Sequence, residues 1–116
     1  MKNKLPTLFI GTALLALCTS VFPAGNEAGN QEITLILKAH RFEPSELKAP
    51  ANRRIRLTVH NQDATPEEFE SQALKREKVI AAGAKGVILI GPLKPGRYEF
   101  FGEYHPATAK GVLIVE

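Results

Sequence analysis

The chain has 116 residues, with 15 Lys and Arg against 12 Asp and Glu, three His and a single Cys. That length holds one domain, the near balance of charge gives no footing for nucleic-acid binding, and one cysteine rules out a disulfide framework. Few serines, no glycine-rich phosphate loop and no thiol beyond Cys18 leave no catalytic set for hydrolysis, so a conventional enzyme is not expected.

Lys2 and Lys4 precede an apolar run from Leu5 to Leu17, and small or turn-forming residues follow, which is the layout of a cleavable export signal. The run is too short for a comfortable membrane span. Cleavage after Ser20 or Ala24 suits the flanking residues, which places the signal over residues 1–24 and the mature domain over 25–116. Cys18 leaves with the signal; as a lipid-bearing cysteine it would have the bulky Leu17 where a small residue is needed. Without Lys2 and Lys4 the balance is 13 basic to 12 acidic residues. The exported domain, with no cross-link, must be held by its core alone.

Residues 25–31 form a polar lead-in. Ile33, Leu35 and Leu37 then share one face of a first strand. Between His40 and Pro50, Phe42, Pro44, Leu47 and Pro50 recur at turn-like intervals. Arg53 to His60 alternates cleanly, with Ile55, Leu57 and Val59 inward and Arg54, Arg56, Thr58 and His60 outward, as in a half-solvated antiparallel strand.

After the loop from Asn61 to Pro66, two signals conflict. Thr65 with Glu68 three residues on, and Pro66 at the first helical position, reads as a capping box, and Glu67 to Lys78 is rich in helix formers. Local propensity therefore reads helix; the family resemblance set out below implies instead an extended segment through Phe69, Leu74, Val79 and Ile80, and that is the expectation, since a lone helix among strands could not supply the pairing a sandwich edge needs. Ala81 to Gly86 turns, and Val87 to Ile90, continuously apolar, is expected as a buried central strand. The punctuated turn from Gly91 to Gly96 feeds an aromatic strand, Arg97 to Phe101, then a loop holding His105, then the β-branched strand Val112 to Val115. About seven short strands with regularly spaced turns predict an all-β, Greek-key β-sandwich, a pattern that an immunoglobulin-like domain shares.

The closing hairpin separates those two. Pro95-Gly96-Arg97-Tyr98-Glu99-Phe100, His105, Lys110-Gly111 and the final strand resemble the last hairpin of the cupredoxins, the copper-carrying β-sandwiches. The stretch Phe42-x-Pro44-x-x-Leu47-x-x-Pro50 resembles their crossing between sheets. The resemblance implies a metal site with one histidine from the loop after the Asn-x-Asp strand and a cysteine, a histidine and usually a methionine from the last hairpin. Carried over position by position, Glu67 stands at the first histidine with Glu68 beside it, Gly102 at the cysteine, His105 at the second histidine and Ala109 at the methionine. A blue copper centre depends on a copper–thiolate bond, and the mature chain has no thiol to form one.

Acidic groups remain around those loops, and the metal ligands expected from the resemblance are Glu67, Glu68, Glu103 and His105, with His40, His60 or Glu70 near them. Carboxylates with imidazole suit iron, Cu(II), zinc or manganese and suit Cu(I) poorly, so a copper or iron ion is the expected cofactor. Pro66 to Ser71, Glu77 to Ile80, Gly91 to Gly96 and Phe101 to Pro106 are similar to a thiol-free cupredoxin-like subfamily of small periplasmic proteins. That resemblance implies a periplasmic location, partners in a periplasmic iron-binding protein and an inner-membrane iron permease, and a part in oxidising or handing over Fe(II). The plainer readings are that His105 caps the hairpin, that Glu67 and Glu68 open a solvated helix where its dipole favours carboxylates, and that His40 and His60 are surface or turn histidines. A sandwich that has lost its metal and serves as an interaction module is the alternative function.

Overall fold

The computed structural model describes residues 30–116; the expected signal over residues 1–24 and the lead-in through residue 29 lie outside the described residues. Nine strands run in chain order: β1 (Asn30–Lys38), β2 (Arg41–Glu43), β3 (Glu46–Ala49), β4 (Arg54–Asn61), β5 (Glu67–Ser71), β6 (Arg76–Ile80), β7 (Lys85–Ile90), β8 (Gly96–Gly102) and β9 (Lys110–Val115). They form a four-stranded sheet in the order β2-β1-β4-β7 and a five-stranded sheet in the order β3-β9-β8-β5-β6. The expected all-β sandwich is the fold, with two short strands beyond the expected count supplied by the segment between His40 and Pro50.

Alternation along the strands fixes which residues meet between the sheets. In β4, Ile55, Leu57 and Val59 are buried while Arg54 and Arg56 are exposed. The strand lies in the middle of its sheet, parallel to β1 from Asn30↔Arg54 to Leu37↔Asn61 and antiparallel to β7 from Ile55↔Ile90 to His60↔Lys85. Leu35 and Leu37 of β1, Leu47 of β3, Ile88 and Ile90 of β7 and Leu113 and Val115 of β9 complete the core. Phe42, Phe69 and Phe100 meet at its centre, with ring centroids 5.2 to 6.3 Å apart in one stacked and two edge-on pairs. Each such ring taken fully out of water contributes about 1.5–3 kcal/mol.

The run of helix formers after Glu67 is extended, as the sandwich pattern required. The reason is local as well as tertiary. The hydroxyl of Ser71 donates to the Glu99 carbonyl at 2.6 Å and accepts the Leu74 amide at 3.1 Å. That amide is therefore satisfied without a helix. Lys75, with φ 55°, then turns the chain back in the left-handed region, and β6 returns antiparallel to β5 from Ser71↔Arg76 to Glu67↔Ile80.

The expectation for Val87 to Ile90 needs correction. β7 is an edge strand, not a central one, and Leu89 points to solvent with 65% of its surface exposed. A continuous apolar run signals burial on both faces only when something covers the second face. Here Arg76 from β6 donates its Nε to the Leu89 carbonyl at 3.0 Å, placing a charge over the open edge.

Candidate metal centre

β5 and β8 meet with Phe69 opposite Gly102 and Glu70 opposite Phe101. The two-residue period of a strand places Glu67, Phe69 and Ser71 inward and Glu68 and Glu70 toward the outer face. Neighbouring glutamates thus point to opposite sides of one sheet. Glu67 is 1% exposed. A carboxylate so deep must have partners: its Oε1 accepts the amides of Tyr104 at 2.8 Å and Glu68 at 3.1 Å, and its Oε2 lies 2.5 Å from Nδ1 of His105. His105 reaches it because the loop after β8 is wound tightly: the His105 amide bonds to the Gly102 carbonyl and the Ala109 amide to the His105 carbonyl.

The third member comes from the other sheet. His40 sits in the turn between β1 and β2, and its ring stacks on that of His105 with centroids 3.6 Å apart and planes 14° from parallel. Its Nδ1 is buried without a hydrogen-bond partner among the described residues; Oδ2 of Asp63 is 3.4 Å away and is not aligned to bond. One donor atom from each of His40, Glu67 and His105 lies within 4.8 Å of the others. Of the residues expected at the site, Glu67 and His105 are therefore together. The sequence names His40 only as a residue near the expected ligands and, in the plainer reading, as a surface or turn histidine; it does sit in a turn, and the structure brings its ring to the ligands.

Glu68 and Glu103 stand elsewhere. The Glu103 amide bonds to the Glu68 carbonyl at 2.9 Å, and the side chains join Glu70 and Glu77 in an acidic patch on the outer face of the five-stranded sheet. Partial desolvation, then the charges of Glu77, Glu68 and Glu103, raise the Glu70 carboxyl above its ordinary value of 4.5. His60, half-buried on β4, pairs across with Lys85 and is outside both clusters.

The sequence pattern of the cupredoxin-like domain matches residues 9–115. The chain belongs to the cupredoxin-like domain family. It is 38% identical over 118 residues to an uncharacterised protein of Rickettsia prowazekii, covering 98% of this chain and 94% of that one. Among solved structures it is similar to the metal-binding domain of a Cu(I)-exporting P-type ATPase of Streptococcus pneumoniae, with TM-score 0.69, 20% identity, and coverage of 79% of this chain and 91% of that one. Auracyanin A, a blue copper protein of Chloroflexus aurantiacus, is similar with TM-score 0.66 at 14% identity, over 76% of this chain and 100% of that one.

Within this cupredoxin-like frame the residues do not fit a blue copper centre. A Cβ built on Gly102 would lie 2.7 Å from Cδ and 2.8 Å from Oε1 of Glu67, and 2.8 Å from Cβ of Ala109. The Glu67 carboxylate fills the space into which a side chain at 102 would project. Glutamate at 67 and glycine at 102 are one steric arrangement, in which a carboxylate from β5 occupies the space in front of β8. The set that does converge, two imidazoles and one carboxylate, fits a borderline divalent ion. Donors bonded to one such ion lie roughly 3 Å apart and imidazole lone pairs lie in the ring plane, so the Glu67 to His105 contact must open slightly and the two stacked rings, 14° from parallel, must tilt apart to admit one.

Proposed function

We propose that this chain is an exported metal-binding protein that holds Cu(II) or Fe(II) through His40, Glu67 and His105 on a cupredoxin frame without blue copper chemistry. The observation that carries the reading is the convergence of one donor atom from each of those three residues, with Nδ1 of His40 buried and without a hydrogen-bond partner among the described residues. Copper-binding relatives of the same fold support it. Two imidazoles and a carboxylate, with further positions open, favour Fe(II) and Cu(II) over Cu(I). Bound there, the ion would supply a Lewis-acidic or redox centre. The chain's own part is to fix Glu67 through two amides and to leave His105 partly exposed, with 30% of its side chain open to solvent, for exchange. The role in ferrous-iron oxidation or transfer beside a periplasmic iron-binding protein and an iron permease is part of this proposal and rests on the sequence resemblance.

Loading the purified mature protein with Cu(II), Fe(II) or zinc, with calorimetry and elemental analysis, tests the site. One ion per chain is expected in the wild type, with sharply weakened binding in His105→Ala and Glu67→Gln. Equal stoichiometry and affinity in both variants would remove the site from consideration. A second reading is favoured by one observation: Glu67 already satisfies both oxygens with protein donors. A metal-free interaction module would need nothing more. An ion that binds only the folded state raises the melting temperature, whereas the module gives no shift with any of the three.

A further inference from the structure

His40 reaches His105 from a turn whose backbone is unfavourable by itself. Ala39 and His40 are consecutive residues in the left-handed region, with φ 52° and 57°, where a residue with a Cβ is disfavoured by about 1–2 kcal/mol. In that conformation both amides point the same way. Both are bound by one carboxylate: Ala39 donates to Oδ1 of Asp63 at 2.7 Å and His40 to Oδ2 at 2.9 Å. Asp63 is 24 residues further along, on the loop between β4 and β5. It is itself held by Asn61, whose Oδ1 accepts the Asp63 amide at 3.0 Å while its Nδ2 donates to the carbonyls of Thr65, Ile80 and Ala81. A chain of fixed contacts thus runs from the buried amide of Asn61 through Asp63 to the backbone of His40, and ends with one imidazole stacked on the other.

We propose that Asp63 is the positioning residue of the metal centre: by clamping the Ala39 and His40 amides it holds the His40 ring against His105, from where a tilt of the ring brings the second imidazole to a bound divalent ion. This rests on the metal reading above for its last step, and on the apo geometry for the rest. Asp63 does not touch the ion. Two negatively charged oxygens on two parallel amides are what an aspartate supplies and an asparagine does not, because its amide nitrogen would face one of the donors.

Two measurements on the mature protein test it. In the apo protein, the imidazole protons of His40 and His105 carry mutual ring-current shifts in the NMR spectrum; Asp63→Ala and Asp63→Asn should move them toward free-histidine positions while the methyl resonances of Leu35, Val59 and Leu113 stay in place. Unmoved imidazole signals in a folded Asp63→Ala protein would overturn the proposal, whether or not the protein binds metal. With Cu(II) added, the nitrogen hyperfine pattern should fall from two imidazoles to one in Asp63→Ala, and affinity should drop about 10–100-fold, as for other residues that orient a ligand. Adding Asp63→Ala to His40→Ala should weaken binding no further, since an indirect residue has nothing left to position. Full additivity would refute action through His40. Absence of Cu(II) binding by the wild type would instead sink the metal reading and leave the apo result to decide the clamp.

Discussion

Gly102→Ala tests whether Glu67 owns the space in front of β8. The added Cβ would sit 2.7 Å from Cδ and 2.8 Å from Oε1 of Glu67, and 2.8 Å from Cβ of Ala109, distances at which something must move. Ala109 is fully buried and Glu67 is 1% exposed, so neither has open space to enter. Overpacking of a buried site costs about 1–3 kcal/mol. If the carboxylate is the group that yields, bonds to the amides of Tyr104 and Glu68 and to His105 weaken with it, which puts the loss at the upper end of that range. At about 4–8 °C per kcal/mol for a domain of this size, the melting temperature should fall by roughly 10 °C or more. Urea unfolding followed by far-UV circular dichroism measures it, and the decisive comparison is a cycle with Glu67→Ala. With the carboxylate gone, its two close contacts vanish and only that with Cβ of Ala109 remains, so the double variant should be more stable than the two single losses predict by about 1 kcal/mol or more. A Gly102→Ala protein as stable as the wild type, or a strictly additive cycle, would refute the reasoning.

Other substitutions probe the parts around it. Asn61→Ala strips donors from the carbonyls of Thr65, Ile80 and Ala81 and should cost about 2–4 kcal/mol in urea unfolding, since each buried group left without a partner costs about 1–3 kcal/mol. Ser71→Ala removes both the bond to Glu99 and the acceptor for the Leu74 amide; amide exchange at Leu74 should quicken well before that of the β4 amides. Glu70 is raised above 4.5 in the folded protein, so the folded state holds its proton more tightly than the unfolded chain. Its contribution is then favourable below the ordinary carboxylate value and is lost as pH rises through the folded one. Glu70→Gln should therefore be more stable than the wild type at neutral pH, with the difference closing as the pH falls through the raised folded value toward 4.5; an advantage that grew on acidification would contradict the sign.

The sandwich was legible because alternation is strong where it matters. Ile55, Leu57 and Val59 are the inward face of β4, as their spacing implies, and the closing hairpin pairs along its whole length from Gly96↔Val115 to Phe101↔Lys110. β7 was misread because four apolar residues in a row carry no information about which neighbour is missing. At the site, position matching brought out Glu67 and His105, which lie 2.5 Å apart. The same strand period that put Glu67 inside sends Glu68 to the other face, a deduction available once residues 67–71 were taken as extended. His40 was legible only as one of three residues near the ligands, for a different reason. Its place depends on two left-handed residues and a carboxylate on another loop, and nothing periodic records a turn bent by a distant partner.

The interlock of Glu67 with Gly102 also bears on descent. A lineage carrying both cannot gain a side chain at 102 by one substitution without a collision, nor trade the glutamate away alone without taking the acceptor from two part-buried amides. Each change makes the other's reversal costly, which is how a ratchet works. Glutamate at 67 and a bare backbone at 102 would tend to be kept, or exchanged, as a pair.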